Sequence, residues 1–188
     1  MLKKILSYGV VAGLMVGVPL SCITLSMSGH TMLRYGMVVG YLIMLIALST
    51  VFVAIKRHRD EDLGGIIKFW AAFGLGLGIS FIAGVIYVLS WEAAVAITHV
   101  DFASNYARAM IAQQQARGVS GEALAKFTAQ MEQFKIQYAN PLYRLPMTFA
   151  EIFPVGVLVS LASAGLLRNS RFLPARPAGS ALSAAQRT

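Results

Sequence analysis

Four long apolar runs constrain this chain more than anything else in it: residues 5–27, 36–55, 69–91 and 145–167. Each holds about twenty residues, enough at ~1.5 Å of helical rise to cross a hydrocarbon core of roughly 30 Å. The first three carry no charge. Lipid offers no water to an open strand edge, so such segments close their backbone hydrogen bonds within themselves as helices. The fold class that follows is all-α, a polytopic membrane protein of four transmembrane helices. Charged residues make up 13% of the chain and hydrophobic ones 57%, against about a quarter charged in a soluble domain. One membrane domain over residues 1–168 accommodates that balance; a pair of soluble domains does not.

The net charge is +8, and its distribution orients the spans, because cytoplasmic loops collect Lys and Arg. Lys3 and Lys4 precede the first run, and Lys56, Arg57, Arg59 and Lys68 separate the second from the third. Arg168, Arg171, Arg176 and Arg187 follow the fourth. The opposite connections hold Arg34, then Arg108, Arg117, Lys126, Lys135 and Arg144 dispersed along a much longer stretch. Both termini are therefore expected in the cytoplasm. The cations form no continuous basic face interleaved with aromatics, which argues against nucleic acid as a partner. Anionic headgroups of the lipid bilayer suit them better.

Cys22 is the single cysteine, so the chain can build neither an internal disulfide framework nor a cysteine zinc site. Within the first run it reads as a small buried apolar residue. Lys3 and Lys4 ahead of an apolar stretch invite a signal-peptide reading. The run continues past Cys22 without a small-x-small cleavage site, however, and a retained first span is the better account.

Residues 28–35 are a short connection and make the first two spans an antiparallel pair. Lys56-Arg57-His58-Arg59-Asp60-Glu61-Asp62, followed by Leu63-Gly64-Gly65, reads as a solvated juxtamembrane loop whose signs neutralise one another. Between the last two spans, residues 98–116 and 122–139 read as helices around a turn at 117–121. Leu124, Phe127, Met131, Phe134 and Tyr138 recur at three- and four-residue steps, and Phe102, Tyr106 and Met110 or Ala109 supply a matching stripe. Paired antiparallel, the two would form an extracytoplasmic helical hairpin over residues 98–139, ended by Asn140-Pro141. Residues 169–188 are expected to form a disordered cytoplasmic tail, rich from Arg176 onward in Ala, Ser, Pro and Gly.

Small residues at four-residue spacing let helices approach closely in lipid. Gly9, Gly13 and Gly17 form one ridge, Gly36 and Gly40 a second, Gly74 and Gly78 with Ser80 and Gly84 a third, and Gly156, Ser160 and Ala164 a fourth. A tight four-helix bundle uses them all; a homo-oligomer could use one.

Glu151 is the charge inside the fourth run. Seven residues beyond Arg144, it lies roughly 10 Å down the helix, where an acid costs on the order of 2–3 kcal/mol unless partnered or protonated. Arg144, Thr148 and Glu151 share a face, which allows an intrahelical ladder, and Pro154 frees a carbonyl near residue 150. Arg34, Tyr41, Glu92, Arg144 and Glu151 all map to the outer leaflet, and together they are the candidate intramembrane polar cluster. Two roles are open to it: a buried ion pair that fixes helix register, or a proton- or cation-responsive carboxylate in a cavity. Catalysis finds no support. His30, His58 and His99 lack ligand spacing, no serine sits in a nucleophile elbow, and Gly74-Leu75-Gly76-Leu77-Gly78 has no preceding strand. No enzyme, cofactor or metal is expected.

The chain resembles a family of bacterial four-span membrane proteins known as domain of unknown function forty-one ninety-nine. The residues that carry the likeness are Tyr8-Gly9 with Gly13 and Gly17, Gly40-Tyr41-Leu42-Ile43-Met44-Leu45-Ile46-Ala47-Leu48-Ser49, and Ile55-Lys56 with Arg59-Asp60 and Leu63-Gly64-Gly65. Most specific is Asn140-Pro141-Leu142-Tyr143-Arg144, running into Met147-Thr148-Phe149 and Glu151-Ile152-Phe153-Pro154-Val155-Gly156. The resemblance implies four spans with a long helical insertion before the last; it supplies no activity. The expected function is that of a non-enzymatic structural or accessory protein of the bacterial inner membrane, whose partners are the bilayer and a second copy or another membrane protein. The alternative is a small proton-coupled transporter or exporter using a membrane carboxylate.

Overall fold

A computed structural model of the protein describes residues 1–26, 32–99 and 101–174, with the side chains of all of these except 23–26 and 32–37. Six α-helices account for most of them: α1 (Leu2–Ser26), α2 (Met32–Arg57), α3 (Phe69–Thr98), α4 (Phe102–Ala116), α5 (Gly121–Ala139) and α6 (Pro141–Leu167). Four, α1, α2, α3 and α6, are long and apolar enough to cross a membrane. The predicted tail from residue 175 and most of the first connection, residues 27–31, lie outside the described residues.

The helices outrun the apolar segments that announce them. α3 continues to Thr98, where His99 takes a left-handed conformation (φ 50°) and returns its N–H to the Val95 carbonyl. Asn140-Pro141, read as a stop, also serves as a start. The Asn140 side chain accepts from the Leu142 N–H at 3.0 Å and Pro141 occupies the first turn of α6, where its fixed φ is already helical and its missing N–H costs nothing. α6 therefore begins four residues before the apolar run and stays helical through Pro146 and Pro154.

α3 is the axis of the bundle. Gly9, Gly13 and Gly17 of α1 meet Ile82, Ile86 and Ser90 in steps of four, so α1 and α3 run parallel. On another face Gly76 meets Ser160 while Gly156 meets Ser80, the reciprocal order of an antiparallel pair. The Ser80 and Ser160 hydroxyls are 3.3 Å apart. Three of the four expected ridges are thus used at least in part. Gly40 of α2 faces open space, as does Gly74 of α3, and Gly36 lies outside the residues whose surroundings are described. Gly40 therefore makes no ridge contact among the described residues, and α2 meets α6 through larger side chains such as Leu48 against Gly156.

The outside of the bundle is as apolar as its inside: Ile46 is 62% exposed and Leu158 66%, with Leu42, Phe81 and Leu89 alongside. Lipid is the solvent that suits such a surface. Cys22, expected to be buried, is exposed instead. It lines an apolar groove of about 260 Å³ between α1 and α3, where Gly17, Ala93 and Ala94 are too small to cover it.

Beyond α3, Asp101 caps α4 by accepting from the Ser104 N–H at 3.0 Å, and hydrogen bonds from Ser104, its side chain first and then its backbone, hold the carboxyl below the usual range. Phe102 meets Tyr138 and Tyr106 meets Phe134, both at 5.6 Å between ring centres. α4 and α5 therefore run antiparallel, and Trp91 at the end of α3 joins them by an edge contact with Phe102 at 5.1 Å.

A glycine-to-alanine pair tests the packing. A Cβ at Gly13 would fall 2.6 Å from the Ile86 Cβ and 3.2 Å from the Ala83 carbonyl oxygen, whereas at Gly40 it would meet nothing. Gly13→Ala is expected to lose about 1–3 kcal/mol to overpacking, and Gly40→Ala to gain up to about 1 kcal/mol of helix propensity. Unfolding of both variants in detergent micelles checks the opposite signs.

Candidate functional site

The polar residues of the expected cluster divide into two separate contacts. At the far end of α3, Glu92 receives a two-pronged bond from Arg144 of α6: Nε donates to Oε1 at 2.7 Å and Nη2 to Oε2. The pair is only partly exposed, 15% for the arginine side chain and 25% for the glutamate. The guanidinium also lies 5.7 Å over the Tyr138 ring, and the Tyr138 hydroxyl accepts from the Trp91 indole N–H at 2.8 Å. Burial pushes the Tyr138 phenol up to about 12. Arg144 Nη1 also donates to the Tyr138 carbonyl at 3.5 Å, so α3, α5 and α6 are tied together here by charge, stacking and hydrogen bonds.

Glu151 does not join that pair. It sits ten residues into α6, ~15 Å along the helix at 1.5 Å per residue and deeper than a start at Arg144 implies. Its Oε2 accepts from the Tyr87 hydroxyl at 3.1 Å. Tyr87 is buried on α3 while Glu151 is exposed on the flank of α6. The intrahelical ladder does not form as expected, because the Thr148 hydroxyl donates to the Arg144 carbonyl at 3.0 Å, the back-bonding habit of threonine inside a helix. Tyr41 is 49% exposed on α2, and the Arg34 side chain lies outside the described residues. Tyr87 was legible only by stepping along α3: Ser80, Gly84, Tyr87 and Trp91 share one face with the contacts to α6.

At the other end the expected solvated loop is not a loop. α2 continues into a π-helical turn, His58–Asp62, which ends at Leu63 before Gly64 and Gly65, both at positive φ. Its charges pair at four-residue spacing, Lys56 with Asp60, Arg57 with Glu61 and His58 with Asp62, and Lys4 of α1 reaches Asp62 at 2.8 Å. Arg59 points inward and is completely buried. Its Nε donates to Asp60 Oδ1 at 2.7 Å. Its Nη1 donates to the Leu167 and Phe172 carbonyls at 3.4 and 2.9 Å, and its Nη2 to that of Leu173. A cation at the carbonyl end of α6 satisfies groups the helix leaves open and complements its dipole. The grip on Leu173 holds that residue at φ 46°, a conformation a leucine keeps only when its surroundings over-determine it. Nothing in this run of mixed charges distinguishes Arg59 from Arg57.

Among the described residues no three His, Cys, Asp or Glu side chains converge as a metal site requires. The chain belongs to the family described as protein of unknown function (DUF4199), which matches residues 7–169 and so takes in α2 to α6, the Arg59 turn and all of α1 but its first turn. No curated protein and no solved structure matches it.

Arg59 and Arg57 are neighbours with opposite settings, completely buried and 62% exposed respectively. Arg59→Ala strands three carbonyls and is expected to cost about 3 kcal/mol. Arg57→Ala should stay within ~1 kcal/mol, the range of an exposed pair. Thermal unfolding of both variants in micelles is the check.

Proposed function

We propose that this member of the family is a non-enzymatic structural or accessory protein of the bacterial inner membrane, with both termini in the cytoplasm and α4 and α5 on the outer side. The observation that carries the proposal is where the polar side chains at membrane depth are directed. Tyr87 bonds Glu151, Glu92 bonds Arg144, and Ser80 faces Ser160, each contact joining α3 to α6. Bonds of this kind fix helix register rather than move a solute. The orientation rests on charge: Lys3, Lys4, Lys56, Arg57, Lys68, Arg168 and Arg171 gather at the end that Arg59 closes, as the excess of basic residues in cytoplasmic loops requires. The partners of such a protein are the bilayer itself and either a second copy or another membrane protein.

The second reading, a small proton-coupled transporter or exporter, draws on one observation: the Glu151 carboxylate is exposed on the flank of α6 instead of sealed inside. Proteoliposomes separate the two. Under an imposed pH gradient, wild type and Glu151→Gln are expected to leak protons at the same background rate. A proton flux present in wild type and lost in Glu151→Gln would contradict the accessory role. Photo-crosslinking from exposed positions of α4 and α5 should recover a stoichiometric partner.

A further inference from the structure

We infer that the Glu151 flank of α6 is a docking site for a partner transmembrane segment that carries a lysine or arginine near the middle of the bilayer. The inference deepens the accessory reading and rests on it. Tyr143, Met147, Glu151, Pro154 and Leu158 are all exposed, and they follow one another at steps of three and four, so they line one outward stripe of a membrane-length helix. A carboxylate on such a stripe faces hydrocarbon unless something covers it, and side chains of this kind within spans are almost always partnered.

The bundle supplies little cover. Among the described residues Tyr87 is the one hydrogen-bond donor to Glu151, and its bond reaches a single carboxylate oxygen. Arg144 is already committed, through Nε and Nη2 to Glu92 and through Nη1 to the Tyr138 carbonyl. A second acceptor lies beside it, because Pro154 has no N–H to return to the carbonyl of Ala150, one turn earlier on the exposed side. Lipid cannot satisfy either group. An ammonium or guanidinium can satisfy both at once, being positive and carrying several N–H donors.

The charge also decides against a second copy as the occupant. A symmetric dimer brings the same patch of each protomer together, so two Glu151 carboxylates would meet in a medium that screens them poorly. A basic side chain from a different segment is complementary where a second copy is repulsive.

The test uses the full chain in liposomes with a fluorescent single-span probe, a leucine-rich helix bearing one lysine at its midpoint, against the same helix with leucine there. Energy transfer should report association of wild type with the lysine probe about ten-fold tighter than with the leucine probe. Glu151→Gln, which keeps the shape and the Tyr87 contact, should erase the difference. Equal binding of the two probes by wild type would overturn the inference, and so would a lysine preference that survives Glu151→Gln. Energy transfer between two labelled copies of the chain that displaces the lysine probe would overturn it too, by making the occupant a second copy. These outcomes stand apart from the proton-flux result: failure of the probe leaves the accessory role intact, whereas a Glu151-dependent flux removes that role whatever the probe does.

Discussion

The close approach of α3 to both α1 and α6 is the contact on which the rest of the molecule depends. In lipid no hydrophobic force draws one apolar helix to another, so association must come from packing and from hydrogen bonds between helices. Small residues make that packing tight enough. Gly9, Gly13 and Gly17 admit Ile82, Ile86 and Ser90 on one face of α3, and the Gly76–Ser160 and Ser80–Gly156 pairs close another. α2, with no glycine in a close contact of its own at Gly40, rests against this trio through Leu48, Val51 and Ile55, all fully buried. A bundle so arranged has one rigid axis, and every polar contact described above either lies along it or seals an end of it.

The two ends are sealed by arginines in different ways. Arg144 meets an acid, Glu92, and stacks on Tyr138, so the join between α3, α5 and α6 is an ion pair bracketed by aromatic rings. Arg59 meets carbonyl groups, ending α6 and holding residues 172 and 173 against the π-helical turn. The planar guanidinium is suited to both tasks because its donors are fixed in a fork. Between the two ends Tyr87 and Glu151 form the carboxylate contact nearest the middle of the spans. Of the polar contacts that join α3 to α6 it is the one with an exposed member, Glu151, which is why the interest of the surface concentrates there.

Most of the architecture was written in hydropathy alone. Four runs with no water-compatible face leave the backbone only the helix, and the three- and four-residue steps of Phe127, Met131, Phe134 and Tyr138 mark a helix face outside the spans. What hydropathy does not encode is direction. Glu92, Arg144 and Glu151 were legible as residues of one membrane level, yet their pairing turned on helix rotation, which depends on packing against neighbours. Tyr87 was hidden for the same reason, as an aromatic residue in an apolar run. Arg59 was hidden more thoroughly, since a run of mixed charges reads as solvated unless the chain after α6 is known to fold back upon it. The start of α6 was misjudged because Asn140-Pro141 is equally good at stopping one helix and starting the next, while its end at Leu167 was read correctly.

All of this presumes a bilayer between the Arg59 end and the α4–α5 end of the bundle. The direct measurement is site-specific labelling of intact cells with a membrane-impermeant maleimide, after Cys22 is replaced by serine and single cysteines are placed at Gly118 or at Glu61. The account predicts that residue 118 labels from outside and that residue 61 labels only once the membrane is opened. Labelling of both positions from the same side, or of residue 61 alone in intact cells, would contradict it.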